Sequence, residues 1–75
     1  MRRIINTDTY VLCQIGKYHI RIFYNHPLYK NITQFCRLER SKTEWVYLKE
    51  FDYAFTEQQL EALTEEKISK YLTFK

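Results

Sequence analysis

The only glycine in the chain, Gly16, stands with Lys17 between two runs of strand-forming residues, and this pair constrains the fold more than any other feature. Thr9-Tyr10-Val11-Leu12-Cys13-Gln14-Ile15 leads in, and Tyr18-His19-Ile20-Arg21-Ile22-Phe23-Tyr24 leads out. A Gly-X link between such runs suits a type II′ turn, because its first position needs a positive φ. The turn sets the register. Ile15 faces Tyr18, Cys13 faces Ile20 and Val11 faces Ile22 on an apolar side. Gln14 with His19, Leu12 with Arg21, and Tyr10 with Phe23 share the other side, which mixes polar, basic and aromatic groups.

Asn25-His26-Pro27 ends the second strand, since Pro cannot donate to a ladder and restrains the residue before it. Leu28-Tyr29-Lys30-Asn31 then connects to a second hairpin, Ile32 to Glu39 and Glu44 to about Phe51, around Arg40-Ser41-Lys42-Thr43. Alternation puts Phe35, Arg37, Val46 and Leu48 on one side and Cys36, Leu38, Trp45 and Tyr47 on the other. Arg3–Asn6 is a candidate edge strand.

The C-terminal part reads as helix. Thr56 and Gln59 have the spacing of a capping box, Phe55 and Leu60 that of a hydrophobic staple, and Glu57 suits the positive end of the helix dipole. Leu60, Leu63, Lys67, Ile68 and Tyr71 recur at helical steps. Thr64 can cap a second helix, with Leu63 and Ile68 as its staple. One helix over 57–72 and two over 57–62 and 65–72 both satisfy the pattern. The expected fold is α+β, a single domain over residues 1–75. Its antiparallel sheet has three to four strands, and C-terminal helix covers one face. Val11, Cys13, Ile15, Ile20, Ile22, Leu60, Leu63 and Ile68 form much of the core.

The chain has 75 residues, one Gly, one Pro and 17% aromatic residues. A chain this short hides only about 60% of its unfolded surface on folding. Its core is therefore too thin for all seven Tyr, five Phe and Trp45, and several aromatic rings are expected at the surface. Residues 1–42 hold eight basic against two acidic residues, and residues 43–75 four against seven. That asymmetry can steer an acidic partner toward the first half; solvated strand faces followed by an acidic helix are the simpler account of it, since a dedicated nucleic-acid domain is usually more basic. Only Ile4 and Ile5 follow Arg2 and Arg3 before the polar Asn6-Thr7-Asp8, too short a run for a secretory leader, and no apolar stretch has membrane-spanning length. The expected compartment is a reducing cytoplasm, with Cys13 and Cys36 as buried free thiols.

Cys13, His19, His26 and Cys36 lack the close pairing of structural zinc ligands. Cys13 and His19 point to opposite sides of their hairpin, and Ser41 and Ser69 lie in no nucleophile motif, so neither enzymatic activity nor a cofactor is expected. Tyr, Trp and Arg are the types enriched at interface hot spots. The expectation is therefore a non-catalytic protein-binding module. Its partner-binding residues are Tyr10, His19, Arg21 and Phe23 on the outer face of the first hairpin, with Arg37 and Arg40 in the positive half. The alternative is a single-stranded nucleic-acid platform on the same face, where aromatic rings stack bases and cations meet phosphates. An unpaired edge strand would also support a homodimer.

Antiparallel hairpins followed by terminal helix, rich in Tyr, Phe, Asn and Lys, resemble the small accessory proteins of bacteriophages, anti-CRISPR inhibitors among them. The stretch Glu50-Phe51-Asp52-Tyr53-Ala54-Phe55-Thr56-Glu57-Gln58-Gln59-Leu60-Glu61 is similar to the strand-to-helix junction of a small type I anti-CRISPR. The resemblance implies a role in the host cytoplasm, blocking a host macromolecule by occupying its surface. It assigns no residue a function.

Overall fold

The computed structural model describes residues 1–25, 27–28, 30–39 and 44–73. Strands β1 (Arg2–Asn6), β2 (Tyr10–Ile15), β3 (Tyr18–Phe23), β4 (Ile32–Glu39) and β5 (Glu44–Phe51) are followed by helices α1 (Glu57–Glu61) and α2 (Glu65–Thr73). The strands form one antiparallel meander in the order β1-β2-β3-β4-β5.

The central hairpin has the register that its turn dictates, from Tyr10 opposite Phe23 to Ile15 opposite Tyr18. Gly16 takes φ +59, whereas Lys17 does not enter the positive region, as a type II′ turn requires. A side chain at Gly16 would also have to displace the flexible end of Glu65 at the start of α2, but the positive φ is what calls for glycine.

The expectation of three to four strands is corrected to five. Asn6-Thr7-Asp8 does not merely end an apolar run. Thr7 Oγ1 accepts from the Tyr10 amide and donates to the Tyr10 carbonyl, both at 3.0 Å, and the Thr7 amide donates to that carbonyl at 2.8 Å. These bonds turn β1 back onto β2. Both edge strands carry a bulge, at Ile4 in β1 and at Leu48 in β5, a device that resists pairing with another chain.

The C-terminal part is two helices. The Thr56–Gln59 capping box is complete, and α1 ends at Ala62. Thr64 Oγ1 then accepts from the Lys67 amide at 3.1 Å and starts α2, the local competition by which Thr interrupts one helix and caps the next.

All eight expected core residues are buried, and Tyr18, Phe35 and Phe55 join them. Thr33, fully buried, stitches the sheet to the segment before α1. Its hydroxyl donates to the Tyr53 carbonyl at 2.9 Å and accepts from the Phe55 amide at 2.8 Å. Tyr18 and Tyr24 tie down the same layer through Ser69 Oγ (3.0 Å) and the Phe55 carbonyl (2.7 Å). Part of the aromatic excess goes inward with the buried Phe35 and Phe55, and Phe51, Tyr53 and Tyr71 extend their ring contacts outward at the β5 side, the two tyrosines remaining exposed. The second-hairpin loop expected at Arg40-Ser41-Lys42-Thr43 lies outside the described residues.

Ile20 is fully buried at the middle of the central hairpin. Its truncation to Ala should cost about 2–5 kcal/mol in urea denaturation; an unchanged midpoint would show that the apolar face has been placed on the wrong side.

Candidate interaction surface

Both helices pack on the Val11–Cys13–Ile20–Ile22 face. The opposite face carries Ile5, Tyr10, Leu12, Gln14, His19, Arg21, Phe23, Ile32, Gln34, Cys36, Leu38, Tyr47 and Glu50 by strand register, and no described helix covers it. Even so, Phe23 is only 4% exposed, Leu12 7% and Cys36 fully buried.

Arg21 supplies much of the cover. Its guanidinium lies 5.8 Å from the Tyr10 ring centroid, 5.3 Å from that of Phe23 and 5.6 Å from that of Tyr47. Its Nε donates to the Tyr10 hydroxyl at 3.1 Å and its Nη1 to the Tyr47 hydroxyl at 2.6 Å. The Tyr10 and Phe23 rings touch at 4.9 Å. Burial works against the charge on Arg21, but bonding to the two hydroxyls outweighs it and holds the guanidinium pKa above its ordinary value. Such cation–π contacts contribute about 0.5–2 kcal/mol each, more as the site loses water. The cluster is therefore ordered before any partner arrives, which limits the entropy lost on binding.

Tyr10, His19, Arg21 and Phe23 thus share the outer face, as their alternation requires. Arg37 does not join them. It sits opposite Tyr18 in the β3–β4 register, on the helix-bearing side and exposed, because the alternation that turns Cys36 outward turns Arg37 the other way. Arg40 lies outside the described residues. Tyr47 is the main residue that sequence reasoning left out of the site. The parity of the second hairpin had put it with Cys36 and Leu38. What was missing was the β3–β4 pairing, Arg21 opposite Gln34 and His19 opposite Cys36, which brings that face beside Arg21.

Next to Tyr47, Gln34 Nε2 donates to Glu50 Oε1 at 2.8 Å, while Gln34 Oε1 is buried with no partner among the described residues. Gln34, Tyr47, Leu48, Lys49 and Glu50 line a shallow hollow of about 330 Å³ there.

The register also sets Cys36 beside His19, a pair invisible from the first hairpin alone. Burial pushes the Cys36 thiol up to about 11, against a smaller opposing effect of Arg21, and burial pushes His19 down. A protonated thiol beside a neutral imidazole is the wrong state for a cysteine nucleophile. Cys13 is likewise raised by burial and lies on the other face. The two cysteines are free and buried, separated by the sheet. Among the described residues no three His, Cys, Asp or Glu side chains gather as metal ligands would, and no helix is long and apolar enough to cross a membrane. Comparisons of the chain with protein-family models, curated proteins and solved structures find no match.

With its pKa near 11, Cys36 is thiolate in about one molecule in a thousand at pH 8. A colorimetric disulfide reagent should therefore label neither cysteine of the native protein within minutes and both after denaturation. Prompt native labelling of one thiol would contradict the sealed packing. His19 gives a second test. Its lowered pKa means that the unfolded chain takes up a proton there before the folded protein does. The His19 contribution to stability is full above about pH 6.5 and is lost as pH falls from there toward the lowered folded value. Urea midpoints at about pH 7.5 and 5.5 should fall further for the wild type than for His19→Gln; equal falls would place a solvated imidazole at this position.

Proposed function

We propose that the chain is a non-catalytic binding module that docks a protein partner on the outer sheet face and acts by occluding that partner's surface. The observation that carries this reading is the aromatic collar around Arg21, preformed on a five-strand face without helical cover. Arginine and tyrosine are residue types enriched at interface hot spots, and Ile5, Leu38 and Tyr47 add exposed apolar surface beside them here. The role fits the blocking of a host macromolecule in the host cytoplasm, which the resemblance to phage accessory proteins implies.

Protein is favoured over nucleic acid by the charge on this face. Its described cations are Arg2 and Arg21, with Glu50 opposing them, and His19 is disposed to stay neutral. A strand of phosphates is held by many cations, and its binding weakens steeply with salt. Two cations, one already committed to tyrosine hydroxyls, make a poor phosphate track and a good anchor for a single partner carboxylate.

The test is affinity capture from a host lysate, comparing the wild type with Leu38→Asp, Tyr47→Ala and Arg21→Gln. Leu38 and Tyr47 are 42% and 59% exposed, so the first two changes spare the fold even if Arg21→Gln uncovers Cys36. A partner that survives nuclease and is lost at least about tenfold with the outer-face variants supports the reading. Capture that persists in Leu38→Asp and Tyr47→Ala, or that disappears with nuclease, overturns it.

A further inference from the structure

On the other side of the molecule a second site is built from β5 and α2. We propose that this cleft binds a small phosphate-bearing aromatic ligand of the nucleotide class. Lys49 of β5 and Lys67, Lys70 and Tyr71 of α2 line an open cleft of about 560 Å³, within the range of ligand pockets. Residues 43–75 contain four lysines and seven carboxylates. Three of those lysines line this one cleft, and no carboxylate does so among the described residues. A segment with a net negative charge has thus sorted its cations around a hollow, where they can meet an anion together.

The cations are positioned. Lys67 Nζ donates to the Ala62 carbonyl at 3.0 Å, and Lys49 Nζ stands 5.4 Å from the Phe51 ring centroid. Lys70 meets Glu66 at 3.5 Å, but both side chains are more than 70% exposed, and such a pair is weak enough to yield to a better anion. The aromatic wall is positioned too. Tyr71 packs edge-on against Phe35 and Phe51 at 5.6 and 5.5 Å, yet remains 41% exposed. Its ring is therefore held for stacking, not folded away.

The ligand class follows from size and polarity. A lone phosphate would leave most of the cleft empty. A neighbouring hollow of about 150 Å³, lined by Phe55, Gln59, Ala62, Leu63, Lys67 and Tyr71, shares Lys67 and Tyr71 with the cleft, so ammonium groups and apolar wall lie side by side. A phosphate joined to a planar ring matches that combination. The same chemistry occurs free or in a single strand; the single-nucleotide size of the cleft favours the free ligand. The cleft lies on the helix-bearing side; Lys49 also lines the outer-face hollow beside Tyr47, whereas Lys67, Lys70 and Tyr71 do not.

Titration of the full chain with ADP, pyrophosphate and adenosine, followed by NMR, tests the assignment. ADP should give saturable shifts at Tyr71 and α2 and should bind more tightly than either half-ligand. The double change Lys49→Glu with Lys70→Glu should weaken ADP binding at least about tenfold, and Leu38→Asp on the outer face should leave it unchanged. Tyr71→Leu should reduce ADP to the level of pyrophosphate, with the rest of the spectrum reporting an intact fold. No saturable shift up to about 10 mM ADP, equal response to adenosine and ADP, or indifference to the lysine reversals would overturn the proposal. A short single-stranded oligonucleotide binding about tenfold more tightly than ADP would overturn it in favour of nucleic acid.

Discussion

Five strands present two faces, and the short helices α1 and α2 contain enough chain to cover only one of them. Most other features of the molecule follow from that shortage. The helix-covered face takes the aliphatic core and the fully buried Thr33, whose hydroxyl replaces the backbone partners that the segment before α1 would otherwise lack. The open face has to cover itself, and it does so with long side chains. Arg21 lies across Phe23 and against Cys36, held in place by two tyrosine hydroxyls. A lysine could not substitute well, because it lacks the planar fork that bonds two hydroxyls while its charge stays within cation–π distance of three rings.

The charge asymmetry of the sequence takes a different form in three dimensions. The ion pair between Arg3 of β1 and Glu57 of α1 joins the basic and acidic halves, so part of the excess is cancelled within the molecule. Arg37 and Arg21 come from the same basic half but stand on opposite faces. The outer face is consequently more aromatic than basic, whereas three of the four lysines of the acidic half gather at the β5–α2 cleft. Net charge along the chain was a poor guide to either surface.

What could be read from the sequence depended on how local its cause was. The Gly16-Lys17 turn acts over two residues, and every pairing of β2 with β3 follows from it. Thr64 acts over one helical turn, so a break between two helices was visible as one of two readings. Arg3–Asn6 was legible as a candidate edge strand, and β1 occupies that edge, but the turn that pairs it with β2 was not legible, because Thr7 closes it with a hydroxyl rather than a glycine or an Asn-Gly pair. The β3–β4 register was not legible, because an eight-residue connection, with Asn25 at φ +50 and its amide bonded to Asn31 Oδ1, fixes it through loop geometry. Without that register, Tyr47 could not be placed beside Arg21, nor Cys36 beside His19. Phe35 and Phe55 became core for a related reason, since their ring contacts join β4 to the segment ahead of α1.

The central claim is that recognition belongs to the open sheet face, and methyl groups report on it most directly because they distinguish the two sides of each strand. Cross-saturation from the captured partner to the methyl groups of this protein should attenuate Ile5, Ile32 and Leu38 on the open face and leave Leu60, Leu63 and Ile68 beneath the helices unaffected. Attenuation centred on Leu63 and Leu72, with the open-face methyls silent, would place the partner on the helical layer and contradict the account.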